Sequence, residues 1–83
     1  MLVSSVPVGR RIGVVWSDGA ETWIAHHRRA PSAPNGTGDL LTALFAAALT
    51  GGATGPDALE TAVGDVAARI LGDDADVVLE ALT

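Results

Sequence analysis

The stretch Asn35-Gly36-Thr37-Gly38-Asp39 leads directly into Leu40-Leu41-Thr42-Ala43-Leu44-Phe45-Ala46-Ala47-Ala48-Leu49, and this junction carries the strongest signal in the chain. The apolar run predicts a buried helix from about Leu40 to Thr50. The two glycines before it allow a tight turn and a close approach of the backbone to a ligand. First-turn amides and the positive end of the helix dipole would converge there, so the sequence predicts an anion site with the carboxylate of Asp39 beside it.

Asp39 allows two interpretations. It could be an ordinary N-cap that accepts amide hydrogens from the first turn. It could also be a general base beside a bound phosphate, because an N-cap does not need two glycines and a hydroxyl before it. The turn is not a Walker A loop, since no Gly-Lys-Ser/Thr follows and the chain has no lysine. An anion hole with an adjacent carboxylate fits phosphoryl transfer from a nucleoside triphosphate to an alcohol, with a divalent ion on the phosphates.

Composition restricts the class of protein. The chain has 83 residues, enough for one small domain, with 48% hydrophobic and 18% charged residues. Its net charge of −5, with no lysine and five arginines, argues against a nucleic-acid partner. The absence of cysteine excludes disulfides and thiol nucleophiles. No apolar run approaches the ~20 residues of a membrane span, and no leader is visible, so we expect a cytoplasmic protein without membrane contact.

The first part of the chain predicts β-structure. Leu2–Val6 is a short β-type run that ends before Pro7. The segments Arg11–Ser17 and Glu21–His27 flank Asp18-Gly19, a pair typical of a type I′ hairpin turn. We therefore expect one strand followed by a β-hairpin.

The second part predicts helices. After the first helix, Pro56 opens and Gly72 closes a second one. Its apolar stripe consists of Leu59, Val63, Val66 and Ile70. Val77–Leu82 fits either a short strand or a helix. The first helix is apolar on nearly all sides, which predicts packing on several sides, and 83 residues offer little to cover it. We therefore expect an α/β chain that is a piece of something larger.

The segment Asn35–Phe45 resembles the anion-hole and catalytic-base motif of the ribokinase-like superfamily, in the form found in pyridoxal kinases. Relatives closer to ribokinase carry Asp-Thr-x-Gly-Ala-Gly-Asp, from which this chain departs at Ala33, Pro34 and Thr37. Related hydroxymethylpyrimidine kinases usually have a cysteine where Asp39 stands. The resemblance therefore favours the pyridoxal kinase branch.

The rest of the chain follows the same resemblance. Ser4-Ser5-Val6-Pro7, the Asp-Gly hairpin and the Arg/Pro segment occur in the order seen in the C-terminal part of bacterial pyridoxal kinases. The resemblance extends over essentially the whole chain but only about the last third of such an enzyme. It implies one partial domain, residues 1–83, from the C-terminal portion of a ribokinase-like three-layer fold. It also implies that the pairing partners of the first strand are missing, as a parallel-sheet core needs several neighbours.

The resemblance also implies site residues. Asp39 would activate the 5′-hydroxyl of pyridoxal, and the amides of Gly36, Thr37 and Gly38 would hold the γ-phosphate in transit. ATP and Mg²⁺ would be the cofactors, and pyridoxal 5′-phosphate the product, in vitamin B6 salvage. A further segment would lie along ATP, namely His27, Arg28, Arg29 and Ala30.

The same chain could instead be a truncated, non-catalytic module that binds nucleotide or a partner. His26 and His27 are adjacent and would point to opposite faces of a strand, so we expect no metal ion held by both. An exposed first helix predicts that the isolated chain forms a homodimer, aggregates or is only partly folded, and a complementing N-terminal chain is the other expected partner.

Overall fold

The computed structural model describes residues 1–30, 37–72 and 75–82. The elements of these residues are β1 (Leu2–Val8), β2 (Arg11–Ser17), β3 (Thr22–Arg28), α1 (Thr37–Thr50), α2 (Gly55–Leu71) and β4 (Val78–Leu82). In this part of the chain the strands form one four-stranded sheet in the order β1-β2-β3-β4, with every neighbouring pair antiparallel. The predicted α/β fold, a strand and a hairpin followed by two helices, is confirmed, and the last segment is a strand.

The hairpin between β2 and β3 is confirmed, but its turn differs from the prediction. Ser17 pairs with Thr22, so the loop has four residues, and of these Gly19 alone has a positive φ, at 92°. A type I′ turn needs positive φ at both central residues, and that prediction is wrong. The backbone N–H groups of Glu21 and Ala20 each donate to Asp18 Oδ1 at 2.9 Å, which lowers the pKa of the Asp18 carboxyl.

β1 corrects a second expectation. It pairs with β2 in antiparallel register from Leu2↔Trp16 to Val8↔Arg11, so the first strand does have its hydrogen-bonding neighbour. The strand continues through Pro7 because it lies at the edge of the sheet, where a missing N–H costs little. An extra residue between Val3 and Val6 forms a β-bulge, within which Ser5 has a φ of 59°.

α2 lies against one face of the sheet, and α1 packs mainly against α2. The core combines side chains of β2, β3 and both helices: Val14, Ala25, Leu41, Phe45, Ala58, Leu59, Ala62, Val63 and Val66. The predicted stripe of α2 is confirmed, with Leu59, Val63 and Val66 buried and Ile70 packed at its edge. The layers therefore follow each other as sheet, α2 and α1.

The prediction that α1 packs on several sides is wrong. Only Leu41 and Phe45 of this helix are buried, while its outer face exposes small residues such as Ala43, Ala46 and Ala47. One apolar stripe is enough to hold α1 in place, because this helix contacts essentially one element, α2. Neither of the described helices is long and apolar enough to cross a membrane.

On the sheet face that α2 does not cover, Arg11 of β2 contacts β3 and the segment that precedes β4. Its Nε donates to Nδ1 of the buried His26 at 2.7 Å, and one terminal nitrogen donates to the carbonyl of Asp76 at 2.6 Å. The second terminal nitrogen lies 3.4 Å from the Asp76 carboxylate. His26 Nε2 lies 3.4 Å from Glu80 on β4. These contacts fix the chain that precedes β4 against the hairpin.

The contact between Gly55 and Trp16 yields a stability prediction. A Cβ at Gly55 would collide with Cη2, Cζ2 and Cζ3 of the Trp16 ring. We expect Gly55→Ala to lower the free energy of unfolding by about 1–3 kcal/mol, because the ring or the start of α2 must move. In a Trp16→Leu background the same change should cost much less, and urea unfolding of the four proteins measures the coupling.

Gly64 in the middle of α2 provides the control for this cycle. A Cβ there meets nothing within 4 Å, so Gly64→Ala should stabilise the chain by about 0.5–1 kcal/mol. An equal penalty for Gly55→Ala in the presence and absence of the Trp16 ring would contradict the proposed collision.

Candidate functional site

A cavity of about 210 Å³ lies where the N-terminus of α1 meets the end of β3, the bulge of β1 and the surface of α2. Complete small-molecule sites usually measure about 300–1,000 Å³, so this cavity has room for part of a cofactor-sized ligand. Its wall is apolar, formed by Ile12, Val14, Leu41, Val63, Val66 and Ile70. Its polar groups come from Ser4, Ser5, His27, Arg29 and Thr37.

The structure brings two sequence-predicted groups together. His27, Arg29 and Ala30, from the end of β3 and beyond, line the same cavity as Thr37 and Gly38 of α1. These groups are separated along the chain by residues 31–36, and the antiparallel sheet with its helix layer places them side by side. The cavity therefore brings two of the three predicted phosphate-binding residues together with three of the four residues predicted to lie along ATP.

Three predicted residues are not part of the described cavity wall. Gly36 lies outside the described residues. Arg28 pairs in register with Arg11, so it belongs to the sheet face opposite the cavity. Asp39 is exposed and follows Gly38 directly, but it does not line the cavity.

The first turn of α1 corrects the position of Asp39. The helix begins at Thr37, three residues before the predicted start at Leu40, and Asp39 is therefore inside the first turn. The N-cap interpretation of Asp39 is wrong, because an N-cap precedes the first helical residue. First-turn amides lack carbonyl partners within their own helix, so those of Thr37 and Gly38 are available to a ligand in the cavity.

Gly38 is not required by the conformation or packing of the described residues. Its φ is not positive, and an added Cβ would meet nothing within 4 Å. The open space beside this residue would let a ligand approach the backbone of Gly38 closely. Together with the free first-turn amides, this fits the backbone of Gly38 meeting an anion.

Ser4 and Ser5 line the cavity, and sequence reasoning did not identify them as candidate site residues. They reach the cavity because the β1 bulge adds a residue and turns Ser5 into the left-handed region, with a φ of 59°. Non-glycine residues adopt this conformation rarely, and bulges often lie beside functional sites. The Ser-Ser pair was visible in the sequence, but the register that directs it toward α1 was not.

The charge of the site is suited to an anion. Arg29 brings a permanent positive charge to the cavity, and the α1 N-terminus adds its partial positive charge. Among the described residues, no group of three or more His, Cys, Asp or Glu side chains could hold a metal ion.

Of the comparisons with known proteins, the search of solved structures found a similar protein. No protein-family model matches the chain, and no curated protein gives a significant match. Among solved structures, a putative phosphomethylpyrimidine kinase from Bacteroides thetaiotaomicron VPI-5482 matches with 28% sequence identity and a TM-score of 0.72. The match covers 78% of this chain and 23% of that chain, so the present sequence spans less than a quarter of the neighbour's length. In fold and sequence the chain is similar to part of a kinase, which supports a relationship at the level of that kinase superfamily.

Proposed function

We propose that this chain is the triphosphate-binding part of a ribokinase-like phosphotransferase. In the complete catalytic unit, the γ-phosphoryl group of ATP would pass to a hydroxyl of a small molecule. The observation that carries the proposal is the cavity in which the first turn of α1 faces Arg29, with glycine at position 38 where the described chain does not need it. The kinase neighbour supports the same reaction class.

The residues would divide the chemistry between them. The amides of Thr37 and Gly38, with Gly36 before them, would stabilise charge on the transferring phosphoryl group. Asp39, beside the anion site, would accept the proton of the attacking hydroxyl. When bound, ATP with Mg²⁺ supplies the phosphoryl group and the divalent charge. Arg29 would hold the phosphates, and the apolar wall would cover less polar parts of the nucleotide.

The acceptor that we propose first is the 5′-hydroxyl of pyridoxal. It is favoured by the sequence resemblance of the segment Gly36–Asp39 to the corresponding motif of pyridoxal kinases, including an aspartate where hydroxymethylpyrimidine kinases usually have cysteine. A phosphomethylpyrimidine, which would accept the phosphoryl group on its phosphate rather than on a hydroxyl, is the second candidate, because the matching structure carries that name. ATP turnover measured with each compound in turn separates the two.

The proposal includes an incomplete site. The cavity measures about 210 Å³, and the match covers 23% of the neighbour's chain. We therefore propose that another segment forms the acceptor pocket, either a complementing chain or a second copy in a homodimer. The reaction is proposed to occur in the cytoplasm. Sedimentation analysis of the chain tests the homodimer, and co-expression with candidate N-terminal chains tests complementation.

The anion site itself is tested by binding. We expect Gly38→Asp to weaken binding of a non-hydrolysable ATP analogue with Mg²⁺ by about tenfold or more, measured by calorimetry. A carboxylate about 4 Å from a phosphate charge costs about 1 kcal/mol in water and about 4 kcal/mol at an effective dielectric constant of 20. Gly64→Asp adds the same charge on α2, at a residue that does not line the cavity, and should leave binding nearly unchanged.

Two outcomes of that experiment would count against the proposal. Equal losses in both variants would indicate a general charge effect rather than a site at α1. A folded wild-type chain that binds no analogue would show that these residues do not form an anion site by themselves. Binding without any turnover, even in the presence of a complementing N-terminal chain, would favour the alternative, a non-catalytic nucleotide-binding module.

A further inference from the structure

We propose that His27 is a specificity-determining residue of the site, which accepts a hydrogen bond from a donor group on the nucleoside part of the ligand. This inference rests on the proposed function, since it assumes that a nucleotide occupies the cavity. His27 lies at the end of β3, opposite Ile12 of β2, and both side chains line the cavity. It is therefore on the sheet face that carries the site.

The hydrogen bonding of the ring fixes its tautomer. His27 Nδ1 lies 2.7 Å from the carbonyl oxygen of Arg28. A carbonyl oxygen can only accept, so Nδ1 must carry the hydrogen and donate. In the neutral ring the other nitrogen, Nε2, is then unprotonated and acts as an acceptor. The backbone of the adjacent residue thus sets the chemical character that His27 offers to a ligand.

This character differs from that of the other polar side chains at the cavity. Arg29 is only a donor, and the hydroxyls of Ser4, Ser5 and Thr37 can donate or accept as required. Neutral His27 Nε2 accepts only, so a ligand that presents a second acceptor there leaves both groups unpaired. In such a site, the free-energy cost of binding a mismatched ligand is larger than the free-energy gain from the matched hydrogen bond.

A nucleotide has two kinds of group that can donate a hydrogen bond to His27 Nε2: an exocyclic amino group of the base and a ribose hydroxyl. Inosine triphosphate replaces the amino group of ATP by an acceptor, and 2′-deoxy-ATP and 3′-deoxy-ATP each remove one hydroxyl. Tripolyphosphate has neither donor and reports on the anion site alone. The four probes therefore separate the base, the ribose and the phosphates.

The test is calorimetric binding of ATP and these four probes to the 83-residue chain, its His27→Phe variant and its His27→Gln variant. In wild type we expect about a three- to tenfold preference for ATP over inosine triphosphate, or over one of the deoxy analogues, the size expected for one hydrogen bond. His27→Phe should remove the preference and leave tripolyphosphate binding unchanged. His27→Gln, whose amide oxygen can accept, should restore part of it, which a purely structural role would not do.

The outcomes separate the two proposals. If tripolyphosphate binds and wild type does not distinguish ATP from any of the analogues, the role of His27 is overturned while the anion site stands. If a preference exists but survives His27→Phe, the acceptor is another group and the inference also fails. If the folded wild-type chain binds no tripolyphosphate, the proposed function falls and the inference falls with it.

Discussion

Asp39→Asn is expected to lower the rate of phosphoryl transfer by about 10²–10⁴-fold without weakening the binding of ATP. Asparagine has the shape of aspartate but cannot take a proton from the attacking hydroxyl. Removing a negative charge beside the phosphates should, if anything, strengthen nucleotide binding. Single-turnover measurements with pyridoxal on the complemented catalytic unit, alongside calorimetric binding of an ATP analogue, separate the rate from the affinity.

Asp57 provides a matched control for Asp39. It is also an exposed aspartate in the first turn of a helix, in this case α2, and it does not line the cavity. Both substitutions remove a favourable charge from a helix N-terminus, worth about 0.3–1 kcal/mol of stability. Asp57→Asn should therefore reproduce the change in stability and leave the rate unaltered. Equal rates for wild type and Asp39→Asn would eliminate Asp39 as the base.

The sequence was most informative where a local rule controls the structure. The Asp18-Gly19 pair predicted the hairpin, because few residues other than glycine accept a positive φ, and the predicted hairpin is present. Pro56 and Gly72 likewise predicted the limits of α2 to within one residue at its start, since proline fits a first helical turn and glycine fits the position after the last. These signals need no information from distant parts of the chain.

Long-range pairing was harder to predict. The sequence of segment 77–82 was compatible with either a strand or a helix. In the structure this segment pairs with β3, and it is therefore a strand. The antiparallel partner of β1 was missed because the resemblance suggested a parallel core. The same pairing directs Ser4 and Ser5 to the cavity, so they could not be assigned to it from the sequence. Neighbours in space, rather than local propensity, determined all of these features.

The start of α1 shows how a functional motif can obscure a structural one. Thr37 and Gly38 were interpreted as a turn because glycine usually breaks helices, yet both are helical residues. The predicted role of their amides does not depend on this error, because a first helical turn offers free N–H groups just as a glycine turn does. The prediction of an anion site is therefore compatible with the corrected helix start, while the N-cap alternative is not.

Leu59→Ala is expected to have the largest effect on stability, a loss of about 2–5 kcal/mol in the free energy of unfolding. Leu59 is fully buried in the middle of the core, between the sheet and α1. Truncating it removes apolar contacts and leaves a cavity that surrounding elements cannot fill without moving. A domain of this size has a total stability of only about 5–15 kcal/mol, so the substitution threatens folding itself. Urea unfolding followed by tryptophan fluorescence measures the loss.

Leu49 of α1 is the matched control, because it is 40% exposed and the same substitution removes the same atoms. Leu49→Ala should change the free energy of unfolding by less than about 0.5 kcal/mol. A similar small loss for Leu59→Ala, with an unchanged dependence on urea, would mean that α2 is not the central layer of the fold. The cavity would then lose the wall that Val63, Val66 and Ile70 provide, and the N-terminus of α1 would no longer border an apolar cavity.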